Sequence, residues 1–163
     1  MISDEELVRR TLSEGSHHFG VLIQRYSDYL FGLGMRLTSG NKELAEDMSQ
    51  QAFMKSYTYL KSFDPQKSFK HWLTGIAVNS FKDLMAKENQ YSPLKDINEP
   101  SYTPHLEGNK DFFALLKPLT KEERLIFTLR FIYDYKMDEI SDFLDMKSGT
   151  VKSKISRAME KLK

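Results

Sequence analysis

The chain has 163 residues, with 40% hydrophobic, 12% aromatic and 29% charged side chains and a formal net charge of +1. That is enough apolar material for one medium or two small cores, and a charge too balanced for bulk charge to indicate nucleic acid. Cysteine is absent, which excludes disulfides and thiolate metal sites.

The acidic start, Met1-Ile2-Ser3-Asp4-Glu5-Glu6, lacks the order of a secretory signal. No apolar run approaches the roughly 20 residues that span a bilayer, so a soluble cytoplasmic protein is expected. The charge is segregated along the chain: residues 1–50 carry 5 Lys/Arg against 8 Asp/Glu, residues 51–88 carry 6 against 3, and residues 147–163 carry 6 against Glu160 alone. Different parts are therefore expected to meet different partners.

Nearly every periodic segment predicts helix. Ser3-x-x-Glu6 is a capping box for a short first helix, with Asp4 and Glu5 at its positive end. A second helix is predicted from Ser16, with Phe19, Leu22, Ile23, Tyr26, Leu30, Leu33 and Leu37 at three- and four-residue steps and Gly40 as its end. Asn41 is placed to cap a third, carrying Leu44, Met48, Phe53, Tyr57 and Leu60 mostly on one face. Pro65 breaks the pattern at residues 63–68, and Ser68 is placed to cap a fourth helix with Phe69, Trp72, Leu73, Ile76, Ala77, Phe81 and Leu84 on one stripe. From Asn89 to Asn109 the periodicity stops and Pro93, Pro100 and Pro104 oppose a long helix, which predicts a linker. Helices resume with Phe112, Phe113, Leu115 and Leu116, and Thr120-x-x-Glu123 opens another with Leu125, Ile126, Leu129 and Ile132.

The C-terminal end predicts a helix-turn-helix: a short helix over 135–144, a turn at 145–147 and a second helix from Ser148. Ile140, Leu144, Met146, Val151 and Ile155 would pack the two helices. Ser148, Thr150, Lys152, Ser153, Ser156 and Arg157 would then face outward, and hydroxyls and cations are the groups that bind phosphates and base edges. A basic helix face is often just solvated; the short helix, tight turn and abrupt positive charge together favour DNA.

These residues also carry a resemblance. Leu119-Thr120-x-Glu122-Glu123-Arg124-x-Ile126-Phe127-x-Leu129-Arg130, then Met137-x-Glu139-Ile140, then Gly149-Thr150-Val151-Lys152-Ser153-Lys154-x-x-Arg157-Ala158 resembles domain 4 of bacterial RNA polymerase sigma factors of the extracytoplasmic-function (ECF) group. The resemblance implies reading of the promoter's −35 element by Ser148, Thr150, Lys152, Ser153, Ser156 and Arg157, and contact with the flap of the polymerase β subunit. Two positions depart from the pattern: Ser141 stands where a small Ala is usual, and Asp145 where the turn often has Gly. Asp tolerates left-handed backbone better than most residues.

Glu43-Leu44-Ala45-Glu46-Asp47-Met48-x-Gln50-x-Ala52-Phe53-Met54-Lys55 resembles the helix of sigma domain 2 that docks on the β′ coiled coil, which implies Glu46, Asp47, Gln50 and Gln51 as core-polymerase contacts. Phe69-Lys70-x-Trp72-Leu73-x-x-Ile76-Ala77-x-Asn79 resembles the melting and −10 region of the same domain. There Lys67, Lys70, His71, Asn79 and Lys82 are implied as DNA contacts, and residues 63–68 as the loop that holds a flipped base. The spacing of Trp72 favours the core over a stacking platform. Leu84-Met85-Ala86-Lys87 lacks the Arg-rich close of many members.

The expected fold is all-α, with two small helical domains joined by a flexible linker: domain 2 at 1–88, the linker at 89–109 and the helix-turn-helix domain 4 at 110–163. The linker is slightly acidic, as a segment threading toward the polymerase channel or a plain tether would be. Expected partners are core RNA polymerase, promoter DNA and an anti-sigma factor, with a monomer when free. No catalytic constellation, metal set or cofactor site is expected: glycine-rich phosphate loops are absent, and His17 and His18, adjacent on a helix, point about 100° apart. The alternatives are a stand-alone helix-turn-helix regulator that dimerises through its N-terminal half, and a purely helical adaptor.

Overall fold

The structure, a computed structural model, describes the backbone of residues 1–91 and 110–163 and the side chains of 1–87 and 112–163. Every regular element among the described residues is helical. Helix α1 (Asp4–Glu14) starts where Ser3 Oγ accepts the Glu6 amide at 3.1 Å, beside three acidic residues in the first turn. The second half of the expected capping box is not made. The Glu6 carboxylate turns instead to Arg9 Nε at 2.9 Å and Arg10 Nε at 3.0 Å, because two guanidiniums attract a carboxylate more strongly than one amide. Those bonds hold its pKa at about 2.

Helix α2 (His17–Leu37) buries Phe19, Leu22, Leu30, Leu33 and Leu37, while Ile23, expected on that stripe, lies at its exposed edge. Ser39 and Gly40 leave the helix with φ 57° and 88°, and the Gly40 amide closes the end on the Met35 carbonyl at 2.8 Å. Asn41 Oδ1 then accepts the Leu44 amide at 3.1 Å and starts α3 (Lys42–Thr58). The two helices touch backbone to backbone at Gly34, where a Cβ would stand 2.9 Å from the Ala45 Cα.

A short 3-10 turn (Leu60–Ser62) leads to the loop before α4 (Phe69–Tyr91), whose start is capped by Ser68 Oγ on the His71 amide at 3.1 Å. Phe69, Leu73, Ala77, Val78 and Phe81 are buried. Trp72 lies between Phe63 and Phe69, with ring centroids 5.3 and 5.7 Å away, which puts it in the core as expected. The helix runs through 89–91, past the point where the apolar period stops; a long helix propagates readily through polar residues. The rest of the expected linker lies outside the described residues.

In the C-terminal half, α5 (Lys110–Leu115) precedes α6 (Lys121–Phe127). The second capping box is complete: Glu123 N donates to Thr120 Oγ1 at 3.1 Å and Thr120 N to Glu123 Oε1 at 3.0 Å. The helix then widens into a π turn (Thr128–Ile132), closed by the Tyr133 amide on the Thr128 carbonyl at 3.1 Å. The extra residue in the turn shifts the register, so Ile132, expected inward, is 44% exposed while Leu129 stays buried.

Helices α7 (Met137–Leu144) and α8 (Ser148–Lys161) form the helix-turn-helix over the buried Ile140, Leu144, Val151 and Ile155. Asp145 ends α7 in the left-handed region, φ 53°. Ser141 Oγ donates to the Met146 carbonyl across the turn, a tie the more usual Ala does not offer.

The two halves meet. Helix α4 packs on α7 and α2 on α6, so one apolar cluster runs from Leu7 and Leu22 through Leu73 and Phe81 to Phe143 and Ile155. No described helix is long and apolar enough to cross a membrane.

Candidate nucleic-acid interface

The outward face of α8 is built by what its inward face buries. Val151, Ile155 and Ala158 point into the core, which leaves Lys152, Ser153, Ser156 and Arg157 exposed at the spacing of one helical face, with Thr150 exposed beside them. Ser148 is only half exposed, and its hydroxyl donates to Asp138 Oδ1 at 2.9 Å, tying α8 to α7. Lys154 turns aside to pair with Glu122, and Lys161 pairs with Glu123 at 2.6 Å. The cations left on the outer face therefore include Lys152 and Arg157, interleaved with hydroxyls, a set suited to phosphates and base edges.

The second set stands on and before α4. Lys67 and Lys70 are exposed, with Lys70 Nζ 4.5 Å from the Tyr29 ring centre. His71, Gly75, Asn79 and Lys82 recur along one face. Among them Asn79 is exposed, but His71 Nδ1 lies 3.1 Å from Glu139 Oε2 and Lys82 Nζ donates to the Leu144 carbonyl at 3.3 Å. The structure thus brings the set to one side of α4 and turns part of that side toward α7. The loop at 64–68 is exposed, and its backbone is held by Asp64, which accepts the Gln66 amide through Oδ1 and the Lys67 amide through its carbonyl, each at 2.9 Å.

The third set lies on α3. Ala45, Met48, Ala52 and Ser56 face inward, so Glu43, Glu46, Asp47, Gln50 and Met54 share an exposed face, with Gln51 half-buried at its side. Met54, 69% exposed, gives this acidic and amide face an apolar end. Phe53 packs inward, as expected.

A fourth group carries no sequence signal. Thr74 Oγ1 donates to the Lys70 carbonyl at 2.7 Å, so it receives the hydroxyls of Tyr29 at 2.7 Å and Tyr135 at 3.1 Å. Burial pushes the Tyr29 hydroxyl well above the usual tyrosine range, which keeps it protonated as a donor. Arg36 Nη1 donates to the Tyr133 hydroxyl at 2.8 Å. Among the described residues no three His, Asp or Glu side chains gather as a metal site.

Two family models match the chain: "Sigma-70 region 2" over residues 22–91 and "Sigma-70, region 4" over residues 111–162. The chain belongs to the sigma-70 family, in its ECF group. An "ECF RNA polymerase sigma-E factor" of Haemophilus influenzae is 28% identical over 98% of this chain and 93% of that protein. The protein of the same name in Escherichia coli (strain K12) is 29% identical over 98% and 92%.

Among solved structures, the sigma factor RpoE in complex with the anti-sigma factor NepR from Bartonella quintana aligns with TM-score 0.73 and 26% identity, over 88% of this chain and 93% of that one. CnrH in complex with the cytosolic domain of CnrY has the same fold, with TM-score 0.67 and 22% identity over 98% and 94%. Matches through both halves identify an RNA polymerase sigma factor and do not favour the stand-alone regulator. The family is one of transcription initiation factors.

Proposed function

We propose that this sigma factor docks core RNA polymerase through the exposed face of α3, engages the −10 element with α4 and the loop before it, and reads the −35 element with α8. The observation that carries the reading is the outer face of α8, where Lys152, Ser153, Ser156 and Arg157 stand clear of the core. In this reading residues 1–88 are domain 2, 89–109 the linker and 110–163 domain 4.

Each surface has a task that its chemistry suits. Glu46, Asp47, Gln50 and Gln51 offer carboxylates and amides to the basic side of the β′ coiled coil. Extruding a −10 base costs a few kcal/mol, and Lys67, Lys70, His71, Asn79 and Lys82 offset this with phosphate and base-edge bonds. On α8, Arg157 and Lys152 contact base edges or phosphates, with Thr150, Ser148, Ser153 and Ser156 as hydroxyl partners. One such helix buries little surface, so promoter affinity rests on both elements and on polymerase. The chemistry of RNA synthesis belongs to the polymerase, and no catalytic residue, metal or cofactor is assigned here. The β flap is the partner of domain 4, and the chain works in the cytoplasm as a monomer until it meets core enzyme. An anti-sigma partner is supported by the NepR complex of the RpoE chain.

Run-off transcription with core enzyme on a library of promoter fragments tests the reading. The expected result is core-dependent transcripts whose start sites share two different boxes at fixed spacing. Failure to bind core polymerase at any salt concentration removes it, and a dimer protecting a palindrome without polymerase would restore the stand-alone regulator.

A further inference from the structure

The side of α4 given to the −10 element is also the side on which α7 sits. Gly75 marks the closest approach: a Cβ there would stand 3.1 Å from Phe143 Cδ1 and 3.3 Å from its Cε1. Phe143 is 8% exposed, and its ring lies 4.7 Å from the His71 ring and 5.1 Å from that of Tyr135. An aromatic side chain on a helix-turn-helix is thus covered by a helix from the other half of the chain. Around it stand polar ties that also cross between the halves: His71 with Glu139 at 3.1 Å, Lys82 with the Leu144 carbonyl at 3.3 Å, Tyr135 with Thr74 at 3.1 Å and Arg36 with Tyr133 at 2.8 Å. Helix α8 takes no part in these ties, and Lys152, Ser153, Ser156 and Arg157 remain open.

We propose that the free chain masks itself: α7 and the Tyr133–Tyr135 segment before it close over the His71–Gly75–Lys82 side of α4, so that the −10 surface is shut while the −35 helix stays open. The inference rests on the promoter reading of α4 given above. His71 and Lys82 cannot keep Glu139 and the Leu144 carbonyl and also take phosphates, so promoter melting requires the two halves to part. Polymerase and promoter bind the open form, and their apparent affinity falls by the fraction of chains that are closed. The open form leaves Phe143 and the Tyr29–Thr74–Tyr135 cluster uncovered, which biases the free chain toward closure.

The lack of cysteine makes closure directly testable. Gly75→Cys with Phe143→Cys places two thiols at the contact, where a short thiol-bridging reagent such as dibromobimane can join them. Gly75→Cys with Glu160→Cys is the distant control. The expected result is efficient bridging of the first pair alone, with at least a tenfold loss of run-off transcription relative to the same variant unbridged. Bridging no better than the control overturns closure, and a bridged chain as active as the unbridged one overturns masking. Inactivity of the wild type with core enzyme would sink the promoter reading and the masking with it, while the bridging yield would still decide closure.

Should Phe143→Cys fail to fold, Tyr135→Phe with Glu139→Gln removes two ties while Gln keeps the helix cap. A larger radius of gyration in small-angle scattering and severalfold faster initial transcription are expected. A wild-type radius and rate would overturn the proposal.

Discussion

Gly34 and Arg157 show two kinds of constraint on a single position. At Gly34 the constraint is space, because the Ala45 backbone occupies the place of a side chain. Gly34→Ala should favour helix locally yet force α2 and α3 apart, with a net loss of about 1–3 kcal/mol, read as a lower urea midpoint at unchanged slope. At Arg157 the constraint is external, since the side chain is exposed. Arg157→Ala should leave the urea midpoint unchanged and cost roughly 1–3 kcal/mol of promoter affinity in holoenzyme if it reads a base. Unchanged discrimination among −35 variants would remove it from the readout.

Glu123 adds an electrostatic case. Burial pushes its carboxyl up, but hydrogen bonds from Lys161 and from the Thr120 amide outweigh this and leave it below the ordinary value of 4.5. A carboxyl lowered on folding stabilises above its unfolded pKa, and that contribution fades as pH falls through the folded value. Glu123→Gln should therefore lower stability at neutral pH and flatten its decline below about pH 4.5, as a series of denaturation curves would report.

At the scale of elements, most helices were legible because their signals are local. Asn41, Ser68, Thr120 and Asp145 each act on residues a few positions away, and the buried stripes recur at the helical period. The π turn was not legible, because its bond pattern inserts a residue that composition does not mark, and Ile132 turned outward as a result. The helical residues 89–91 were missed because a polar extension carries no periodic signal. The α3 face was legible as chemistry, since Glu46, Asp47 and Gln50 emerge where Ala45, Met48 and Ala52 bury. Asp47→Arg should leave folding intact but weaken competition for core polymerase about tenfold or more, because it sets a cation where a basic partner helix is expected. Normal competition by this variant would refute the docking assignment.

At the scale of the whole molecule, the contacts between halves had no signature in the sequence. Tyr29 and Tyr135 are 106 positions apart, and Arg36 and Tyr133 are 97 apart, and nothing local marks such pairs as partners. The candidate residues on α8 were therefore read correctly as an outward set, whereas the engagement of His71 and Lys82 by α7 was invisible. The chain has one tryptophan, Trp72, in the N-terminal half. Tyr133→Phe in the C-terminal half removes the acceptor of Arg36 and should cost about 1.5 kcal/mol. If the halves unfold together, the Trp72 fluorescence transition in urea shifts with it; an unmoved transition would show them uncoupled.

The π turn has a consequence for how such a chain can vary. In an α-helix each residue adds about 100° of rotation, so losing one codon within 128–132 would restore the ordinary helical register and swing everything beyond it by that angle. Tyr133 and Tyr135 would leave Arg36 and Thr74, and α7 would no longer meet α4. A single in-frame deletion, with no side chain altered, would thus be a genetic route to a chain whose two halves no longer recognise each other.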